Sequence, residues 1–134
     1  SSVAKNLDME HVMIVHGDDG LDEISICSET TISELKGGQI SEYKISPKDF
    51  GLNISSFDQI SASSSQESLL HVNKAFEGEK SAVQDMIALN SGAALYVANI
   101  VNSMSDGVEM AFDLMNSGQA AQKLNSYVRV SNEL

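Results

Sequence analysis

Apolar and polar positions alternate between two periods along this chain, and the change of period divides it. Residues 11–16 are apolar almost throughout and rich in β-branched side chains, which predicts a strand buried on both faces. Glu23 to Cys27 predicts a second short strand. Thr30 to Lys36 and Gln39 to Ile45 flank Gly37-Gly38, a pair able to take positive φ at both positions, and so predict a hairpin with Ile32, Ile40, Tyr43 and Ile45 as its apolar residues. Pro47 ends the ladder because it has no N–H to donate. Residues 48–60 follow neither period, and Phe50, Leu52, Ile54 and Phe57 are expected to anchor them.

Beyond the serine cluster Ser61 to Ser65 the period becomes helical. Ser64 and Glu67 have capping-box spacing. They predict a helix to about Glu77, stopped at Gly78, with Leu69, Val72, Ala75 and Phe76 facing inward. The next helix is expected from Ser81 to Asn102. Val83, Met86, Ile87, Ala94, Val97 and Val101 form one stripe, and other apolar residues cover much of the remainder, so this helix should be central. Gly92, Ala93 and Ala94 would let a neighbouring backbone approach closely. Asn90 lies within the stripe, as a ligand contact or, the favoured reading, as a buried amide satisfied internally. Two shorter helices are expected at 106–116, capped by Ser105 and closed by Gly118, and at 119–128, with residues 129–134 fraying. Val3, Ala4 and Leu7 suggest the end of a helix at 1–8. Strands come first and helices after, an α+β order. Pairing of the first strand with strands outside the chain would make the parent fold α/β.

Composition narrows the functions available. The chain has 134 residues, enough for one domain, with 42% hydrophobic and 20% charged residues. Eight basic residues stand against nineteen acidic ones, a net charge of -11 that repels nucleic acid and anionic membrane alike. Unaided binding of a phosphorylated substrate is equally awkward for such a surface. The run Met86 to Val101 is too short and too polar to span a bilayer. Cys27 is the single cysteine, sits in an apolar run and is expected to be an inert thiol, which fits a reducing compartment. Ser1 to Glu10 lacks a basic segment followed by a long apolar core, so no signal peptide is expected and the cytoplasm is the expected location.

The chemistry gathers in Val15-His16-Gly17-Asp18-Asp19-Gly20-Leu21-Asp22-Glu23. Four carboxylates lie within Asp18 to Glu23, directly after a predicted strand, where ligands collect in α/β sheets. Asp22 and Glu23 are adjacent. In a regular strand they would point to opposite faces, whereas a glycine-preceded turn lets them converge or hold two ions side by side. Mg²⁺ takes one or two carboxylates together with water and phosphate oxygens, and can neutralise charge on a departing phosphate. A solvated acidic turn is the commoner reading of such a dipeptide. Asp18 and Asp19 are weaker candidates and expected to be exposed. His16 could orient the loop through its ring, although a satisfied structural histidine is the favoured reading. The chain contains no Cys/His cluster for zinc, no nucleophile elbow, no GxGxxG and no Walker-type loop.

The run His16 to Glu23 closely resembles the HGxxGLDE segment of the anthranilate phosphoribosyltransferase family. Further likenesses follow in order: Thr31 to Tyr43, Pro47 to Leu52, Phe76-Glu77-Gly78-Glu79-Lys80, Asp85, Leu89-Asn90-Ser91-Gly92-Ala93-Ala94-Leu95-Tyr96, and Ser117-Gly118-Gln119-Ala120 through Lys123-Leu124. The resemblance implies an α/β fold of the nucleoside phosphorylase/phosphoribosyltransferase type, with a mixed sheet, a β-hairpin and a helical C-terminal half. It implies transfer of the phosphoribosyl group of phosphoribosyl pyrophosphate to anthranilate with release of pyrophosphate, in tryptophan biosynthesis. Mg²⁺ is the implied cofactor, and the motif makes Asp22 and Glu23 its ligands. The family's glycine-rich pyrophosphate loop, its KHGN-type segment, its anthranilate-associated arginine and its dimer-forming N-terminal helical domain have no counterpart here. Residues 1–134 are therefore expected to be the C-terminal part of the catalytic domain, inactive alone, from an enzyme that is a homodimer when full-length. The alternatives are a related non-catalytic binding protein and a self-standing interaction domain.

Overall fold

The computed structural model describes residues 1–133. A short helix α1 (Ser2–Asn6) leads into a three-stranded sheet of β1 (His11–Gly17), β2 (Thr30–Lys36) and β3 (Gln39–Ile45). Four further helices follow: α2 (Ser65–Phe76), α3 (Ala82–Val97), α4 (Met104–Asn116) and α5 (Gln119–Asn132). In place of the expected mixed sheet, the described strands pair antiparallel throughout, in the order β1-β2-β3. The hairpin turn falls where expected: Lys36 opposes Gln39, and Gly37 and Gly38 adopt φ of 55° and 78°.

Alternation of faces corrects the expectation that residues 11–16 form a buried strand: Met13 and Val15 pack on the core, while Ile14 and His16 on the opposite face are exposed. One side of β1 has no partner strand among the described residues, and Ile14 is 49% exposed. The outer strand β3 behaves likewise, leaving Ile40 and Tyr43 exposed. Central β2 buries Thr30, Ile32, Glu34 and Leu35. Glu23 to Cys27 is not a strand. Ile24, Ser25 and Ile26 are buried consecutively, and side chains take over backbone bonds that a ladder would have made. Phe50 and Leu52 pack on the core as expected. Ile54 and Phe57 stay exposed, Phe57 because it opens a short 3-10 turn, Phe57–Gln59, on the surface.

Helix α3 is the hub, packed against β1, α2 and α4. Its Ala88, Leu89 and Ala93 join Ile24, Ile26, Val108, Ala111 and Met115 in the main core cluster. It ends at Val97 rather than Asn102 because Asn99 takes a left-handed conformation, φ 55°, which asparagine tolerates. The close approach expected at Gly92 is met by α4: a Cβ there would lie 2.6 Å from the Val108 nitrogen, and one on Gly107 would overlap the Gly92 carbonyl. The Ser64 and Ser81 hydroxyls cap α2 and α3. Helix α4 starts earlier than expected, its cap being Ser103, whose hydroxyl accepts from the Asp106 N–H at 3.1 Å, rather than Ser105. Leu69 faces solvent because α2 buries mainly its C-terminal end, Ala75 and Phe76. Residues 129–132 do not fray; with no glycine or proline after Gly118, α5 runs on to Asn132.

Candidate functional site

The acidic loop begins where β1 and β2 separate. Gly17 must lack a side chain, since a Cβ would meet the Asp19 carboxylate at 2.6 Å and Ser25 Cβ at 3.2 Å. Its N–H donates to the Leu21 carbonyl at 2.9 Å and its carbonyl accepts from Gly20 at 2.9 Å, closing a tight turn with Gly20 at φ 93°. Asp19 builds the interior of this turn. Its Oδ1 accepts from the Leu21 N–H at 3.2 Å and its Oδ2 from the buried Ser25 hydroxyl at 2.6 Å. Ser25 Oγ in turn accepts from the Cys27 N–H at 2.9 Å. Burial alone would raise the Asp19 carboxyl, but the bonds from Ser25, Leu21 and Ser28 outweigh it and the net shift is downward. Asp18 lies on the outer flank, 2.6 Å from the Lys44 ammonium, whose hydrogen bond lowers its pKa.

On the far side of the acids the loop is tied to α3. Asn90 Oδ1 accepts from the Ile24 N–H at 2.9 Å, and its amide donates to the Ile24 carbonyl at 2.9 Å and to the Met86 carbonyl at 3.0 Å. The internally satisfied reading of Asn90 therefore holds. Asp22 and Glu23 lie between these anchors. Both are exposed, and neither enters an ion pair or side-chain hydrogen bond among the described residues, whereas Asp18 and Asp19 are both engaged.

His16 departs from expectation: it is exposed and makes no side-chain hydrogen bond among the described residues, lying with Ile14 on the exposed face of β1. Cys27 is half-buried, and burial with the nearby Asp19 charge raises its pKa, which favours the protonated thiol. At the opposite end of β1 a polar cluster went unforeseen. The His11 ring meets Glu34 Oε1 at 2.8 Å, the Tyr43 hydroxyl donates to Glu34 Oε2 at 2.8 Å, and the Tyr96 ring stands edge-on to His11 at 4.8 Å. The sequence signal was the buried-face position of Glu34 on β2, visible only once the strand register is known. A wide cleft of about 750 Å³ lies between residues 51–59 and the start of α3, and neither Asp22 nor Glu23 lines it.

Two acids free of internal partners, held at a glycine turn beside a core helix, suit a hard cation. No group of three or more His, Cys, Asp or Glu side chains gathers among the described residues. Two carboxylates leave most of an octahedral shell to water and phosphate oxygens, as Mg²⁺ prefers, so the donor set fits that ion.

The architecture places the chain in a known family. Residues 1–121 match the family model described as glycosyl transferase family, a/b domain, and the chain belongs to that family. Among curated relatives it is similar to the anthranilate phosphoribosyltransferase of Halorhodospira halophila, 44% identical over 134 residues, covering 100% of this chain and 39% of the relative. That of Vesicomyosocius okutanii is 44% identical over 129 residues, covering 96% of this chain and 38% of the relative. The chain thus spans about two-fifths of the length of these relatives. Among solved structures, the Thermus thermophilus anthranilate phosphoribosyltransferase superposes with a TM-score of 0.79 at 29% identity, covering 89% of this chain and 35% of that one. The Saccharomyces cerevisiae enzyme in complex with PRPP and Mg shares the fold, with a TM-score of 0.79 at 20% identity over 91% of this chain and 35% of that one. No helix of the described residues is long and apolar enough to cross a membrane.

Proposed function

We propose that this chain is the C-terminal part of the catalytic domain of an anthranilate phosphoribosyltransferase, and that Asp22 and Glu23 hold Mg²⁺ in it. In this reading the anthranilate amino nitrogen bonds to the ribose anomeric carbon of phosphoribosyl pyrophosphate, the bond from that carbon to the pyrophosphate oxygen breaks, pyrophosphate leaves, and the nitrogen gives up one proton to solvent. Bound Mg²⁺ would supply positive charge to the departing pyrophosphate. The chain's own part is to present two carboxylates that have nothing else to neutralise them. One observation carries the reading: of the four acids in the loop, the two without internal partners are the two at the family motif's metal positions. The relatives' names support the reaction. The yeast enzyme's complex with PRPP and Mg supports the cofactor and one substrate. Pyrophosphate cannot be held by this acidic segment alone, so the remaining three-fifths of the enzyme must supply the cationic groups.

The test is turnover in the full-length enzyme carrying this segment. Asp22→Asn and Glu23→Gln each remove one metal oxygen's charge and are expected to lower kcat/KM by about 100-fold or more, since even partners outside the coordination shell cost 10–100-fold. Full activity in both variants would defeat the assignment.

A further inference from the structure

We propose that Asn90 is a positioning residue for the cation site, setting the place of the two carboxylates by gripping the backbone beside them. This rests on the reading of Asp22 and Glu23 as Mg²⁺ ligands. Neither acid makes a side-chain hydrogen bond or ion pair among the described residues, so its place is set by the neighbouring backbone. On one side Leu21 is tied to Gly17, the last residue of β1, and to Asp19, whose own partners Ser25 and Ser28 lie within the loop. On the other side Ile24 is tied at both its N–H and its carbonyl to Asn90, at 2.9 Å each, from a helix 66 residues away.

That helix is well suited to serve as a reference. Asn90 donates a second time to Met86, one turn back, which holds its amide in one orientation. Two residues on, Gly92 sits in backbone contact with α4, which locks α3 in place. Ile24 itself is 2% exposed, so its N–H and carbonyl have no ready access to water if Asn90 is removed. Gripping both groups of one residue needs an acceptor and a donor on a short side chain. Aspartate lacks the donor when ionised, and leucine of equal size lacks both. Without the grip, the segment carrying Asp22 and Glu23 must shift to satisfy Ile24, and both carboxylates move with it.

The experiment compares wild type, Asn90→Leu, Asn90→Asp and Asp22→Asn in the full-length enzyme, at a temperature where circular dichroism shows each folded. Two readouts do not depend on turnover. Amide hydrogen exchange in the metal-free protein should show the Ile24 N–H protected in wild type and exposed in Asn90→Leu. Mn²⁺ binding in the presence of pyrophosphate, followed by electron paramagnetic resonance, should weaken roughly 10-fold or more in Asn90→Leu. If Asn90→Leu does not fold, Asn90→Asp decides: weaker Mn²⁺ binding despite its added negative charge supports the proposal, and equal or tighter binding overturns it. Retained Ile24 protection, or Mn²⁺ affinity within twofold of wild type in Asn90→Leu, also overturns it. If Asp22→Asn leaves Mn²⁺ binding unchanged, the cation-site reading fails first. If Asp22→Asn weakens binding and the Asn90 variants do not, the positioning role alone is wrong.

Discussion

Replacing Gly92 with alanine sets two physical effects against each other. In the middle of a helix, Gly→Ala normally stabilises by about 0.5–1 kcal/mol, because alanine loses less backbone freedom on folding. Here the new methyl would stand 2.6 Å from the Val108 nitrogen and 2.7 Å from its Cγ2. The optimal separation between carbon atoms is about 3.5–4.0 Å, so α3 and α4 would have to part by roughly 1 Å. Overpacking a close-packed interior costs about 1–3 kcal/mol, which exceeds the gain. Gly92→Ala should therefore lower stability by about 0.5–2 kcal/mol, read as a lower urea midpoint at unchanged m-value. Gly107→Ala presses on the same contact from the other side, so the double variant should cost less than the sum of the singles. A Gly92→Ala variant more stable than wild type would show that helix propensity governs this position and that the backbone contact is not tight. The reasoning about α3 as a fixed reference for the acidic loop would then fall with it.

Two further perturbations follow from the remaining geometry. Burial pushes the Glu34 carboxyl upward, but the hydrogen bonds from the Tyr43 hydroxyl and the His11 ring outweigh it and leave the pKa below its ordinary value near 4.5. A depressed folded value means that the contribution is complete above the ordinary carboxylate range and is lost as pH falls through the folded value. Wild type should thus lose stability more steeply than Glu34→Gln when urea midpoints are followed downward from about pH 5; parallel curves would refute it. Ser103→Ala removes the acceptor for the Asp106 N–H and should cost about 1 kcal/mol in the same assay, while Ser105→Ala, one residue inside the helix, should cost little.

What could be read from the chain beforehand was what depends on near neighbours. The Gly37-Gly38 turn, the Ser64 cap, and the stripe that makes α3 central each rest on a few consecutive residues. Asp22 and Glu23 were chosen from a short motif, and their metal role is the proposal that Mn²⁺ binding tests. What could not be read depends on contacts distant in sequence. Residues 23–27 look like a strand because Ile24, Ile26 and Cys27 are apolar, yet Ile24 is held by a side chain from α3 and Ser25 by Thr30. An apolar run such as 12–15 carries no sign of whether both faces of its strand are covered, and so the exposure of Ile14 was hidden. The engagement of Asp19 by Ser25, which separates it from the free acids, depends on the curl of the loop rather than on its composition.

The central claim is that Asp22 and Glu23 are left free in order to meet a divalent cation. A crystal of the full-length enzyme soaked with Mn²⁺ and pyrophosphate tests it most directly. The account predicts an anomalous peak about 2.0–2.4 Å from carboxylate oxygens of both residues, with pyrophosphate oxygen on the same ion. An ion bound elsewhere, with both carboxylates turned into ion pairs of the assembled enzyme, would contradict it.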